Sequence, residues 1–440
     1  MVVVKKSPSV ICTDDAWFMI ASEPPLTVEV LRDEMLSLYE GTAAALWWAV
    51  GDHEVYHYET QIGEIFGEGY DDIESSCYHS MHSAYPGQSR KTFENIRYLM
   101  RTSVGPLTAL VKLCRESGME FFPRIRMNSH YDIDPSSPSY GKVRRNNPDF
   151  MIGGMDESIP KESIEWGIKT GLNYALPQVR EYMYSIITEI FERFDPDGVE
   201  LDFMRHPAFF RIDEAYQNSY LMTDLVRSVR ERMIEVGCSR GKTIRLGVRV
   251  PPTLDDSRRI GLNVGEWMAE GLVDVVVVGG GFIPFQTPLH EFVAAAQGTD
   301  IQVYGCIEAL RHMDERSIRA LASLFWSQGA SGIYLYNFFT MPADWNRRVL
   351  NQISNPTVLS RLDKKYEIDR TGSFTLSGAG HSCAFRYASP SAQLPVTIHG
   401  DFCGEGPILY FDVADDLKVA RADSSLAGCT LSLKFETLRR

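Results

Sequence analysis

Residues 195–207, DPDGVELDFMRHP, gather Asp202, Arg205 and His206 at the end of a short apolar run, directly behind the amphipathic segment PQVREYMYSIITEIFERF. A helix-period segment feeding a strand that ends in ionisable groups is how a βα-barrel presents chemistry at its C-terminal face. Other apolar runs end in the same way: Asp14 and Asp15 close the first, Arg124, Arg126 and Asn128 with His130 beyond them the third, Arg249 the fifth, Glu308 the seventh and Asn337 the eighth. Carboxylates and an imidazole are the groups of acid–base catalysis, and paired arginines are the usual grip on a carboxylate ligand.

Each candidate has a plainer alternative. Arg124, Arg126 and Asn128 alternate with Ile125 and Met127, so the three polar side chains share one face. With the apolar partners against the helices, the arginines point into the barrel mouth. Arg124 is the deeper of the two and equally suits a buried ion pair with Asp202 or Glu200. Of the two aspartates ending the first run, Asp14 is the choice for the cleft and Asp15 the alternative, the other serving as a cap. Asp202 is either a reacting carboxylate or the partner that fixes an arginine. Asn337 is either a donor to substrate or a turn residue, and Glu308 reads rather as a helix-start carboxylate. His53, His57, His79 and His82 fall in one segment without HxH or HExxH spacing, and GGGF at 279–282 lacks the lysine of a phosphate loop. No metal and no cofactor is expected.

Eight apolar runs, at 9–13, 45–50, 120–128, 198–205, 243–250, 273–279, 301–307 and 332–339, alternate with segments of helical period. Repeated βα units imply a parallel sheet, and this number implies closure into a (β/α)8 TIM barrel. The helices carry start and stop signals: Thr27 before VEVLRDEMLSLYE with Gly41 after it, Gly118 after LTALVKLCRES, and Gly329 after SIRALASLFWSQ. Two connections, 51–91 and 129–176, exceed what a barrel needs and are expected to wall a cleft. Beyond about residue 355 the pattern changes to period-two runs such as SFTLSG, CAFRYA, LPVTIHG, ILYFDVA and TLSLKFETL. This predicts a catalytic barrel over 1–355 and a small C-terminal antiparallel β domain over 356–440.

The chain has 440 residues, of which 44% are hydrophobic and 23% charged, with a net charge of −14. That charge argues against nucleic acid and anionic membrane surfaces as partners. The N-terminus lacks a signal-peptide core, and the run LVDVVVVGGGF is about half a membrane span. The cysteines at 12, 77, 114, 238, 306, 383, 403 and 429 form no CxxC pair. A reduced, cytoplasmic protein is expected.

On the strand-one Asp14, RIRMNSH with Arg126 and His130, LNYALPQVR, DPDGVELDFMRHP with Arg205, and Asn337, the barrel resembles the family-156 glycoside hydrolases, which are inverting exo-sialidases. The resemblance implies hydrolysis of terminal sialic acid from a sialylated glycan. Asp14 and His130 would be the catalytic pair, in either acid–base order, and Arg126, Arg205 and Asn337 would bind substrate, with Arg124 as a possible equivalent of Arg126. It also implies a homodimer. A neutral histidine activating water suits this substrate, because an anionic nucleophile would meet the carboxylate on the anomeric carbon. The alternatives are a glycosidase of another substrate class using Asp202 and a second carboxylate such as Glu308, and a non-catalytic carbohydrate-binding barrel.

Overall fold

The apolar runs lack clean alternation because, as parallel strands, they are covered on both faces. The computed structural model describes residues 9–39, 44–71, 88–102, 105–129, 134–153, 168–204, 207–211, 213–279, 285, 287–308, 313–337, 339, 341, 345–368, 393–394, 396–398, 404 and 406–434. Eight strands form a closed barrel: β1 (Val10–Asp14), β2 (Ala44–Ala49), β3 (Phe121–Arg126), β4 (Gly198–Asp202), β5 (Arg245–Val250), β6 (Val275–Val278), β7 (Gln302–Ile307) and β8 (Gly332–Leu335). All neighbours are parallel, and β1 completes the ring by pairing with both β2 and β8, Val10 standing opposite Ala44 and Ile333. The (β/α)8 barrel expected from the eight runs is the fold observed.

Alternate side chains along each strand go to two different cores. Ile11, Ala45, Trp47, Phe122, Val275, Val277, Tyr304, Cys306, Tyr334 and Tyr336 fill the interior, while Val10, Cys12, Leu46, Trp48, Phe121 and Ile125 pack outward against the helices. Trp47 stacks on Phe122 with ring centroids 4.5 Å apart and meets Tyr334 edge-on at 5.6 Å, which plugs the interior below the mouth. Parity therefore sends Arg124 and Arg126 inward, as Ile125 and Met127 lie in the outer core.

The outer helices form where the sequence signals them. Helix Val28–Tyr39 follows Thr27, whose hydroxyl accepts from the Val30 N–H; Gly41 lies outside the described residues. Helix Pro106–Glu116 is followed by Gly118 at φ +69°, and helix Glu315–Ser327 starts on the Asp314 cap and is followed by Gly329 at φ +90°. Helix Pro177–Arg193 buries Val179, Met183, Ile186, Ile187 and Ile190, the spacing of one face. No described helix is long and apolar enough to cross a membrane.

Within the two long connections, the described residues include a short parallel pair, Val55–Tyr56 with Glu64–Ile65, and helix Lys142–Asn146. In 356–440, SFTLSG and CAFRYA lie outside the described residues. ILYFDVA and the described part of TLSLKFETL form no strand, and the regular elements described there are the short helices Pro356–Leu359 and Leu417–Ala422. In the two runs Ile408 and Leu431 are exposed, at 70% and 71%.

Candidate active site

Below the mouth lies a buried network of guanidinium and carboxylate groups. Arg124 on β3 donates to Asp202 Oδ2 on β4 at 2.7 Å and to the Tyr336 hydroxyl at 3.1 Å; it also pairs with Asp15 and lies 3.8 Å from Glu200. Arg249 on β5 donates to Glu308 Oε2 at 2.5 Å and lies 3.4 Å from Asp202. Tyr336 sits between the two cations, its ring 4.8 Å from Arg124 Cζ and 4.2 Å from Arg249 Cζ. Burial disfavours ionisation of Asp202, but Arg249 and Arg124 outweigh it and hold its carboxyl below the usual carboxylate range. Glu200 goes the other way: burial, reinforced by the Asp202 charge, pushes it up to about 8, and the Tyr334 hydroxyl lies within 2.8 and 2.9 Å of its two oxygens.

Above this network the ends of β1, β3 and β8 meet on one carboxylate, and it is Asp15. Its Oδ2 pairs with Arg126 Nη2 at 2.9 Å and accepts from Asn337 Nδ2 at 2.7 Å, while Oδ1 receives Arg124. Arg126 Nη1 donates to Asp52 at 2.8 Å. Asn337 has φ +57°, a left-handed conformation that asparagine tolerates, and its N–H donates to the Thr13 hydroxyl at 2.8 Å. Beside this seam the Trp17 and Phe339 rings stack at 4.8 Å.

The cleft position expected of Asp14 thus belongs to Asp15. Ile11 faces the barrel interior, so Thr13 and Asp15 share its side while Asp14 turns outward with Cys12. Asp14 is fully buried, caps the following turn through the Trp17 N–H at 2.6 Å, and is pushed by burial up to about 8 against that hydrogen bond. Arg124 takes its plainer alternative: it is fully buried and spent on internal carboxylates, so the direct substrate contact expected of it is not available. Asn128 is likewise structural, bonded to the backbone of Leu172 and Ala208. Arg126, Asn337 and Asp202 all reach the mouth or the layer beneath it. His130 and Arg205 lie outside the described residues.

Two residues of the turn after β2 were not foreseen as site groups. Asp52 reaches Arg126, and His57 is close enough for Asp52, Arg126 and Asp15 to act on its charge; burial, the larger effect, pushes its imidazole down to about 4. A tight reversal after strand-like ALWWAV was the available signal, since it returns Asp52 and His57 to the strand end. Among the described residues no group of His, Cys, Asp and Glu side chains has the disposition of a metal site. Asp15, Asp52, Glu200, Asp202 and Glu308 outnumber Arg124, Arg126 and Arg249 there, so the described mouth is not a basic pocket.

No family model matches the chain, and no curated protein matches it in sequence. Solved structures similar to it include alpha-L-fucosidase isoenzyme 2 from Paenibacillus thiaminolyticus, at 10% identity and TM-score 0.46, over 79% of this chain and 49% of that one. The PgaB glycoside hydrolase domain from Bordetella bronchiseptica is 13% identical at TM-score 0.44, over 78% and 98%. A noncanonic maltogenic alpha-amylase from Thermotoga neapolitana is 11% identical at TM-score 0.41, over 82% and 78%. Likeness at this level assigns no chemistry to the chain, whose barrel stands on its own strand pairing.

Proposed function

We propose that the chain is a glycoside hydrolase and, at the level of substrate, an inverting exo-sialidase that removes terminal sialic acid from glycoconjugates. The observation that carries this reading is the meeting of Asp15, Arg126 and Asn337 on one carboxylate at the mouth, three strand ends that the family resemblance marks, with Asp15 in the place of its neighbour. Arg126 is paired with Asp15 and Asp52, so an incoming carboxylate must exchange with one of them. Exchange with Asp15 has a useful consequence. Losing a guanidinium partner raises the proton affinity of Asp15, so substrate binding itself readies the acid that protonates the departing glycosidic oxygen. Water enters from the opposite face, activated by an imidazole that the resemblance assigns to His130, through an oxocarbenium-like transition state.

A second reading, hydrolysis of a neutral glycoside by Asp202 and Glu308, draws on the excess of carboxylates and on the bridge that Arg249 makes between these two. The full burial of Asp202 counts against it as the group that meets a sugar. Initial rates on 4-nitrophenyl glycosides of sialic acid and of neutral sugars test the choice, with the first-formed anomer read by NMR. Sialoside turnover with inversion, abolished in Asp15→Asn, is the expected result; turnover confined to neutral glycosides and abolished in Asp202→Asn would replace it. The same reading takes the working form as a cytoplasmic homodimer with a β-rich accessory domain over 356–440, and equilibrium sedimentation at micromolar concentration tests the dimer.

A further inference from the structure

The ends of β1 and β8 carry a second feature at the mouth, a pair of aromatic rings. Trp17 lies two residues beyond Asp15 and Phe339 two beyond Asn337, and their rings stack at 4.8 Å with planes 11° apart. Both chain ends turn through left-handed backbone just before the rings, Ala16 at φ +63° and Asn337 at φ +57°. Alanine has no polar side chain to stabilise that conformation, and Ala16 is fully buried, so the surrounding fold imposes it; strain of this kind collects at functional sites. The rings are not core packing. Phe18 and Met19, the next two residues, enter the outer core, whereas Trp17 and Phe339 stay half-buried and, among the described residues, join neither core. Flat apolar rings left at a polar mouth suit a ligand that is apolar on its face and hydroxylated at its edge, as a pyranose is.

The pair also stands on a definite side of Asp15. β8 and β1 are neighbours in the ring, with β2 and β3 following in order. By that order, Arg126 on β3 and Asp52 after β2 meet Asp15 from one side, and Asn337 with the aromatic pair from the other. In the reading above Asp15 protonates the departing oxygen, so a sugar whose carboxylate lies toward Arg126 directs its leaving group toward β1 and β8. Resting on that reading, we infer that Trp17 and Phe339 form the leaving-group subsite, a stacking platform for a neutral pyranose joined to the sugar that is removed. The C–H face of that pyranose packs on the aromatic surface, which holds the glycosidic oxygen against Asp15 without a charged contact. No bond changes at the platform. Its rings decide which leaving groups are favoured, a sugar ring over a short alkyl group, so Trp17 and Phe339 are determinants of specificity.

The test compares kcat/KM of the full chain on sialyllactose and on methyl sialoside, whose leaving groups are a pyranose and a methyl group. Wild type, Trp17→Ala, Trp17→Phe and Phe339→Leu are measured, with thermal melting and inhibition by free sialic acid alongside. Trp17→Ala is expected to lower the preference for sialyllactose over methyl sialoside about 10-fold, and Trp17→Phe to keep most of it. Free sialic acid has no leaving group and should inhibit wild type and variants alike, whereas a merely structural role would weaken that inhibition too. Phe339→Leu, on the other strand, should act in the same direction and carries the comparison if Trp17→Ala fails to fold. An unchanged preference in folded variants, or a loss matched by equally weakened inhibition, overturns the platform and leaves the hydrolase reading standing. A wild type that releases sialic acid from neither substrate overturns that reading, and the subsite with it.

Discussion

Asp14 and Asp15 are adjacent and chemically identical, yet the strand sends them to opposite sides, and substitution should separate them. Asp15→Asn is expected to lower kcat by about 10²–10⁴-fold with little change in melting. Asp14→Asn should retain turnover. Burial raises the Asp14 pKa from 3.8 to about 8, so the folded state binds its proton more tightly than the unfolded chain does. The stability contributed by the neutral carboxyl is therefore fully present below pH 3.8 and lost progressively up to about pH 8. Urea unfolding of Asp14→Asn across that window should show a shallower decline than wild type; an equal slope would refute the assignment. The sequence made it legible that Arg126, Asn337 and a strand-one aspartate converge at the barrel mouth, because strand ends point there. It did not make the parity of β1 legible. Ile11 faces the interior and Val10 and Cys12 face helices, so both faces are apolar and no alternation says which way the strand is turned. His57 was weighed only as a metal ligand and lacked the spacing for it; its nearness to Asp52 follows from the turn at Gly51 that closes the ALWWAV strand.

At the scale of elements, the strands and their helices were readable because the βα units carry their own periods and several end on a glycine, as at Gly118 and Gly329. The period-two runs beyond residue 355 lie largely outside the described residues; in the described part of ILYFDVA the Gln393 side chain bonds the Tyr410 backbone and no strand forms. Packing between elements is tight at Gly305 on β7, where a Cβ would stand 2.3 Å from the Phe325 ring of helix Glu315–Ser327. Gly305→Ala should cost about 1–3 kcal/mol by forcing strand and helix apart, measured as a fall in urea midpoint at unchanged slope. Between strands, Arg249 on β5 ties Asp202 on β4 to Glu308, the residue after β7. Arg249→Met removes the cation shared by Glu308 and Asp202, leaving Asp202 its pairing with Arg124, and should cost about 3–5 kcal/mol, more at neutral than at acid pH, where protonation relieves the carboxylates.

For the whole molecule, net charge sets how a substrate arrives. A chain at −14 repels an anionic sugar at long range, so raising salt from about 10 to 150 mM should increase kcat/KM for a sialoside and leave it flat for a neutral glycoside. A flat response for both would remove the anionic substrate. Chelator is expected to leave either rate unchanged. The barrel closes by joining its first strand to its last, and the mouth is built across that join: Asp15 and Asn337 are 322 positions apart in the chain. Arg124 and Arg126 can reach Asp15 before the last strand forms, but Asn337 meets it only when the ring closes. On the proposed hydrolase reading, turnover would report ring completion: in refolding it should return no sooner than the slowest structural signal, because the longest loop in the molecule is the one that completes the surroundings of Asp15.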